Sequence, residues 1–251
     1  MKKSKAWGSD RKMNYIYGPV NSRRLGRSLG VNLTPGRVCS LDCIYCEEAR
    51  PTATLTCTRG EYAPTKKVIE YIKAKVKVVS GLDFITFSGS GEPTLHSGLG
   101  EIISAVKYTG VPIAVLTNST LLNRADVRKD LDLADLVVPS LDAVSQDVFE
   151  KINKPSAAVS AADVVEGIGA FCNLYKGKIW LEVLLVKGIN DHIGEVQKIA
   201  EIANTLPLEK VHLNTICRTT TVKKIEPVAK DTLVDLKKYF KAPVEIVVSN
   251  Q

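Results

Sequence analysis

Cys39-Ser40-Leu41-Asp42-Cys43-Ile44-Tyr45-Cys46 gathers three of the chain's six cysteines into eight residues, spaced C-x3-C-x2-C, and no fourth follows at a comparable interval. A cubane iron–sulfur cluster has four irons, each needing a terminal ligand, so three thiolates leave one iron for something other than cysteine. Structural zinc closes with four ligands, commonly as two separated pairs. Here there is no second C-x2-C and no histidine near these cysteines. A disulfide framework belongs to small secreted scaffolds, and 251 residues with few, unevenly placed cysteines do not read as one. The spacing points to a cluster.

Outward from this loop the chain alternates strand and helix signals. Gly30–Thr34 reads as a first strand that ends at Pro35-Gly36, just before the cysteines. Downstream, Lys66–Val79 sets Val68, Ile69, Ile72, Val76 and Val79 on one helical face. Strand runs follow at 83–88, 112–117, 136–141, 178–186, 211–216 and 244–248. Helical runs lie between them at 98–108, 124–131, 145–152, 162–175, 195–206 and 231–240, the last with Asp231 as its expected cap. Strands alternating with helices mean right-handed βαβ units on a parallel sheet. Six such units rather than eight predict an α/β fold of the partial (β/α)6, TIM-like barrel kind, open on one side. No linker or repeat interrupts residues 15–251, which read as one domain. The Pro/Thr-rich stretch 49–65 reads as a long loop covering the cluster.

Ligands of parallel α/β folds sit at the carboxyl ends of strands. Gly89-Ser90-Gly91-Glu92-Pro93 ends one strand; its glycines permit close backbone approach and Glu92 can hold an ammonium. Thr117-Asn118-Ser119-Thr120 ends the next, where Asn118 reads either as a cofactor contact or as an Asx turn. Ser140 and Asp142 follow the third, as short polar groups or as helix caps. Glu182 lies inside an apolar strand, costly unless it faces a polar barrel interior. Lys187 follows that strand, reading as an anion contact, a Schiff-base amine or an ordinary loop lysine. His212, Asn214, Cys217 and Arg218 lie on or after the sixth, where the Cys217 thiol can face the site, and Lys187, Cys217 and Arg218 are the candidates for catalysis. Cys172 reads as a core thiol.

The formal charge is +7, which suits an anionic partner such as RNA or simply solubility. Arg23, Arg24 and Arg27 form an anion-site candidate or a set of ion pairs, and residues 1–14 read as a flexible basic arm. No run approaches the roughly 20 apolar residues of a membrane span and the start lacks a signal peptide's apolar centre, so a cytoplasmic protein is expected, with no membrane partner.

Cys39, Cys43 and Cys46, with Tyr45 before the last, resemble the signature of the radical S-adenosylmethionine superfamily. The run Gly18-Pro19-Val20-Asn21-Ser22-Arg23-Arg24-Leu25-Gly26 resembles the branch related to the tRNA wyosine-forming synthase, with Asn21 where that branch commonly has Pro. The resemblance implies a [4Fe-4S] cluster on the three cysteines, its fourth iron chelated by S-adenosyl-L-methionine, and reductive cleavage to a 5′-deoxyadenosyl radical that abstracts hydrogen from substrate. It places Tyr45 against the adenine, Gly91 and Glu92 at the methionine amino group, Asn118 at the cofactor, and Ser140 and Asp142 at the ribose or methionine carboxylate. Ser119 stands for the usual Gly of a Thr-Asn-Gly turn, and Arg218 is kept where a following Pro pair is lost. No cysteine precedes Cys39, so the second cluster of the wyosine synthase has no ligands here, and the chain reads as a minimal relative. A tRNA or nucleotide-bearing substrate is expected, with a peptide, protein or small metabolite as alternative and a non-catalytic iron–sulfur protein as the alternative of another class. An electron donor such as flavodoxin or ferredoxin would serve it.

Overall fold

A computed structural model describes residues 15–48, 53–220, 222 and 224–248. The basic arm at 1–14 lies outside them, as does the start of the 49–65 loop.

The Gly-Pro and Arg-Arg run forms a hairpin rather than a string of turns. Strand β1 (Ile16–Ser22) pairs antiparallel with β2 (Gly26–Val31), and the turn between them carries Arg23 and Arg24. Its apolar residues are too sparse to read as a strand. Gly30 is required because a Cβ there would stand 2.1 Å from the Tyr17 ring, which lies across it. After β2 come β3 (Val38–Cys39) and β4 (Thr54–Leu55), which pair with each other in parallel. The expected loop therefore turns back beside the first cysteine.

Regular alternation follows: α1 (Thr65–Val78), β5 (Phe84–Phe87), α2 (Leu99–Val106), β6 (Ile113–Thr117), α3 (Ala125–Leu131), β7 (Leu136–Pro139), α4 (Gln146–Asn153) and α5 (Ala161–Cys172). Then come β8 (Lys178–Leu185), α6 (Ile193–Ala203), β9 (Lys210–Thr215), α7 (Lys230–Leu236) and β10 (Val244–Val247). The sheet order is β1-β2-β5-β6-β7-β8-β9-β10, parallel throughout except for β1, and the sheet curls into a half-barrel. Asp231 does not cap α7: Ala229 holds the cap position and Asp231 sits in the first turn, making no side-chain capping bond.

Alternation along each strand separates two faces. Ile85, Phe87, Ile113, Val115, Val137, Leu181, Val183, Val211 and Leu213 join the helices in the main core. Each buried aliphatic or aromatic side chain contributes about 1.5–3 kcal/mol relative to exposure. The opposite face holds a smaller cluster of Leu25, Ala114, Leu136, Val138 and Trp180. Polar groups continue it: Glu182 pairs with Arg24 and accepts from Asn214 Nδ2. That explains how a carboxylate is tolerated inside an apolar strand, and it takes Arg24 away from any anion site.

Candidate active site

The cysteine loop leaves β2 at its carboxyl end and is strapped on two sides. Thr56 N donates to Cys39 O at 2.9 Å, while Asp42 N and Ile44 N donate to Asn153 O and Ile152 O at 3.0 Å, at the end of α4. All six cysteines are free, and Cys39, Cys43 and Cys46 are half-buried. Burial pushes the Cys39 thiol up to about 12, with the charges of Glu92 and Cys46 adding to it. Burial also raises Cys43, assisted by Cys39 and Asp142. Cys39 is thus coupled to both other sulfurs, and deprotonating the thiols together asks for positive charge among them, as a coordinated metal supplies.

Two amide groups point at these sulfurs. Asn118 Nδ2 lies 3.4 Å from Cys39 Sγ, and Asn153 Nδ2 lies 3.4 Å from Cys43 Sγ. Such donors stabilise thiolate charge and tune a cluster. Among the described residues no three His, Cys, Asp or Glu side chains converge to hold a single metal ion. A cubane asks instead for one thiolate at each of three separate irons, so the donor set fits a cluster better than zinc.

Glu92 is 2 % exposed and anchors the next strand end. Its Oε1 accepts from Thr94 N (3.0 Å), Thr94 Oγ1 (2.6 Å) and Thr117 Oγ1 (2.7 Å), and its Oε2 from Asn118 N (2.7 Å). Burial raises its pKa despite these donors. A carboxylate has about four acceptor sites, two per oxygen, so Oε2 retains room for one further donor. Gly91 packs against the cysteine strand: a Cβ there would meet Val38 O at 1.9 Å. Gly89 has φ +129°, and a Cβ on it would strike Asn32.

Asn118 forms the Asx turn and also reaches the cysteine loop. Its Oδ1 accepts from Thr120 N and Oγ1, an Asx turn, while its Nδ2 faces Cys39 Sγ and Ser40 Oγ. Ser119 sits at φ +70°, the left-handed region that a glycine enters freely, and its Oγ donates to Ser140 O at 2.9 Å.

Asp142 departs from its expected place at a ribose or carboxylate. It is buried, and its oxygens accept from Tyr45 Oη, Asn153 Nδ2 (2.9 Å) and Leu184 N (2.9 Å). It serves as a post tying the cysteine loop to β8. Nor does it cap α4; that is done by Glu195 of α6, which accepts from Val144 N and Ser145 N. Tyr45 spends its hydroxyl on Asp142, and its ring lines a small closed cavity with Ser140, Phe149 and Val164.

Of the three catalytic candidates, Lys187 and Cys217 have partners outside the cysteine loop, and Arg218 has one at its end. Lys187 is 61 % exposed and paired with Glu226 at 2.7 Å, which raises its pKa, so it is no ready nucleophile. Cys217 Sγ lies 3.2 Å from Thr215 O. Arg218 pairs with Glu47, one residue past Cys46, and so clasps the end of the cysteine loop. Asn153 is the site residue that sequence reasoning missed. At the end of a helix and before Lys-Pro, it reads only as a helix stop.

A three-thiol loop at the carboxyl edge of a parallel half-barrel, with amides and a carboxylate beside it, defines the class: an α/β half-barrel protein with a cysteine loop at its strand ends. Residues 33–203 match the Radical SAM superfamily, and the chain belongs to it. It is 35% identical over 217 residues to a UPF0026 protein of Methanocaldococcus jannaschii, spanning 86% of this chain and 67% of that one. It is 37% identical over 238 residues to a protein of Brachyspira hyodysenteriae called GTPase Obg, spanning 94% of this chain but only 35% of that one. A probable GTP 3′,8-cyclase of Saccharolobus islandicus is 28% identical over 193 residues, 76% of this chain and 58% of the cyclase. Among solved structures, SuiB of Streptococcus suis bound to S-adenosylmethionine shares the fold with a TM-score of 0.64 at 14% identity, over 88% of this chain and 50% of SuiB. TYW1 with a lysine–pyruvate adduct shares it with a TM-score of 0.59 at 19% identity, over 84% and 72%. Among the described residues no helix is long and apolar enough to cross a membrane.

Proposed function

We propose that this chain is a radical enzyme acting on tRNA or another nucleotide-bearing substrate. The observation that carries the chemistry is the loop of three free, half-buried thiols with amide donors on two of them. Cys39, Cys43 and Cys46 would hold a [4Fe-4S] cluster, and Glu92 Oε2, with its remaining acceptor site, would take an N–H of the S-adenosyl-L-methionine ammonium. When bound, that pair supplies reductive cleavage of the sulfonium to a 5′-deoxyadenosyl radical. The protein's own residues hold and shield. Asn118 and Asn153 hydrogen-bond sulfur, Asp142 fixes the loop through Tyr45 and Asn153, and buried Leu41 and Ile44 keep water from its underside. Ser140, whose backbone carbonyl accepts from Ser119 Oγ, would serve as a ribose contact.

The substrate class is supported by the +7 charge and by a relative whose name is that of a GTP cyclase. A small acidic flavodoxin or ferredoxin is the electron donor such a surface favours. The test is 5′-deoxyadenosine release by the anaerobically reconstituted, reduced protein with and without bulk tRNA. Stimulation by tRNA is the expected result. Release indifferent to tRNA would keep the radical chemistry and remove the substrate class. Cys43→Ala is expected to hold no cluster while retaining the circular dichroism of the folded half-barrel.

A further inference from the structure

Helix α1 carries five lysines, Lys66, Lys67, Lys73, Lys75 and Lys77, against a single acid, Glu70. Its apolar residues Val68 and Ile72 are wholly buried, while Lys66, Lys67 and Lys77 are exposed and Lys73 and Lys75 half-buried. None of the five makes an ion pair among the described residues, although Glu61 feels the charge of Lys66. Lys66, Lys73 and Lys77 fall within about 40° of arc on the helix and run along some 17 Å of its length. One exposed aromatic ring borders this line, Tyr108, 64 % exposed, with Lys73 Nζ 5.2 Å from its centre, and a second, Tyr71, 47 % exposed and stacked on Tyr15, lies farther round the helix. Beyond the carboxyl end of the helix lies Arg27, whose guanidinium borders Gly81 and has no ion-pair partner among the described residues.

We propose that the outward face of α1, continued by Arg27, is a docking surface for the sugar–phosphate backbone of RNA. This rests on the tRNA reading above and gives it a place on the molecule. A row of unneutralised cations with an exposed aromatic beside it matches a polyanion that also carries flat rings, whereas solubility alone asks for mixed signs. An anionic membrane fits less well. The helix's buried apolar side, with Val68 and Ile72, is committed to the core, and the exposed Val78 and Tyr71 do not form the continuous apolar face that inserts between lipids. The helix begins beside the loops that follow β2 and β5, so RNA lying along it would reach the mouth of the half-barrel.

The experiment is binding of bulk tRNA to the full chain, titrated from 50 to 300 mM salt by fluorescence anisotropy, for the wild type and Lys66→Glu/Lys73→Glu/Lys77→Glu. The charge-matched control is Lys237→Glu/Lys238→Glu/Lys241→Glu at the far edge of the sheet. Affinity of the α1 variant should fall by roughly tenfold or more and its salt slope should shrink by about two to three, while the control stays within about twofold. Thermal melts of both variants show that the fold is kept, and Lys→Gln versions serve if either melts early. Equal losses in both variants, or no loss in the α1 variant, would overturn the surface and leave the tRNA reading standing. Absence of tRNA binding by the wild type at low salt would remove both. If the α1 change abolishes binding to phosphatidylserine vesicles and leaves tRNA binding intact, the helix is a membrane surface and the proposal is wrong.

Discussion

At Ser119 a residue with a side chain occupies φ +70°, and its hydroxyl repays part of the strain by donating to Ser140 O. Two substitutions separate these effects. Ser119→Ala keeps the strain and loses the bond, and should cost about 1–2 kcal/mol in urea unfolding, whereas Ser119→Gly relieves one as it loses the other and should lie near neutral. If the two variants unfold alike, the hydroxyl contributes nothing. Glu92 argues the same way from its four donors. In Glu92→Gln the amide must turn its NH2 toward Asn118 N, setting donor against donor in a buried place, at a cost of about 1–3 kcal/mol. The melting temperature of the metal-free protein should drop, and the reconstituted variant should lose most of its S-adenosyl-L-methionine binding in equilibrium dialysis. Unchanged stability would mean that the carboxylate is not held as described. The pair Gly91-Glu92 was legible in the sequence because glycine and a lone acid at a strand end are unusual. The buried partners Thr94 and Thr117 carry no such mark, since threonine is ordinary in strands and turns.

Elements here are joined by side chains from their neighbours as often as by their own caps. Ser145 stands at the N-cap of α4 without a side-chain capping bond, and Glu195 of α6 serves that helix instead, accepting from Val144 N, Ser145 N and Ser145 Oγ. Burial alone would raise the Glu195 carboxyl. The hydrogen bonds from Ser145 and Val144 and the nearby Lys198 ammonium outweigh it, and the net pKa lies below the ordinary value. A depressed folded pKa means stability that is fully present above the unfolded value, about 4.3, and lost as pH falls through the folded one. Glu195→Gln should therefore cost about 1–3 kcal/mol near pH 7, with the difference from wild type closing below about pH 4. Chemical unfolding at several pH values measures this, and a pH-independent difference would show that shape rather than charge matters. Helix and strand positions were readable from periodicity because 3.6- and 2-residue patterns report burial directly. Partner exchange such as Glu195 to α4 was not, because it joins residues fifty apart whose meeting depends on the packing of two helices. The hairpin β1–β2 escaped for another reason: one of its faces carries arginines and a glycine, leaving no apolar alternation to detect.

Across the whole molecule, the curled sheet was expected from alternating units and a polar interior from Glu182, but which residues meet that carboxylate was not. Three arginines in five positions suggested an anion site or a set of ion pairs; folding pairs Arg24 with Glu182, while Arg27 faces outward. The hairpin turn that carries Arg24 belongs to the second strand of the sheet order and Glu182 to the sixth, so this ion pair spans the concavity and joins its two sides. The side chains are only 21% and 15% exposed, so each charge depends on the other. Removing one partner leaves an uncompensated buried charge, typically a loss of about 3–5 kcal/mol, whereas a neutral pair of similar volume loses much less. Arg24→Met should accordingly destabilise strongly. Adding Glu182→Gln, which keeps an acceptor for Asn214 Nδ2, should restore most of the loss. The double-mutant cycle in urea unfolding then gives a coupling well above the 0.5 kcal/mol scatter of independent sites. Additive effects would mean that the pair is solvated and that the curl is held by strand pairing and the Trp180 cluster alone. Strong coupling would make Arg24 a brace of the half-barrel and leave the phosphate-facing work to the cations outside it.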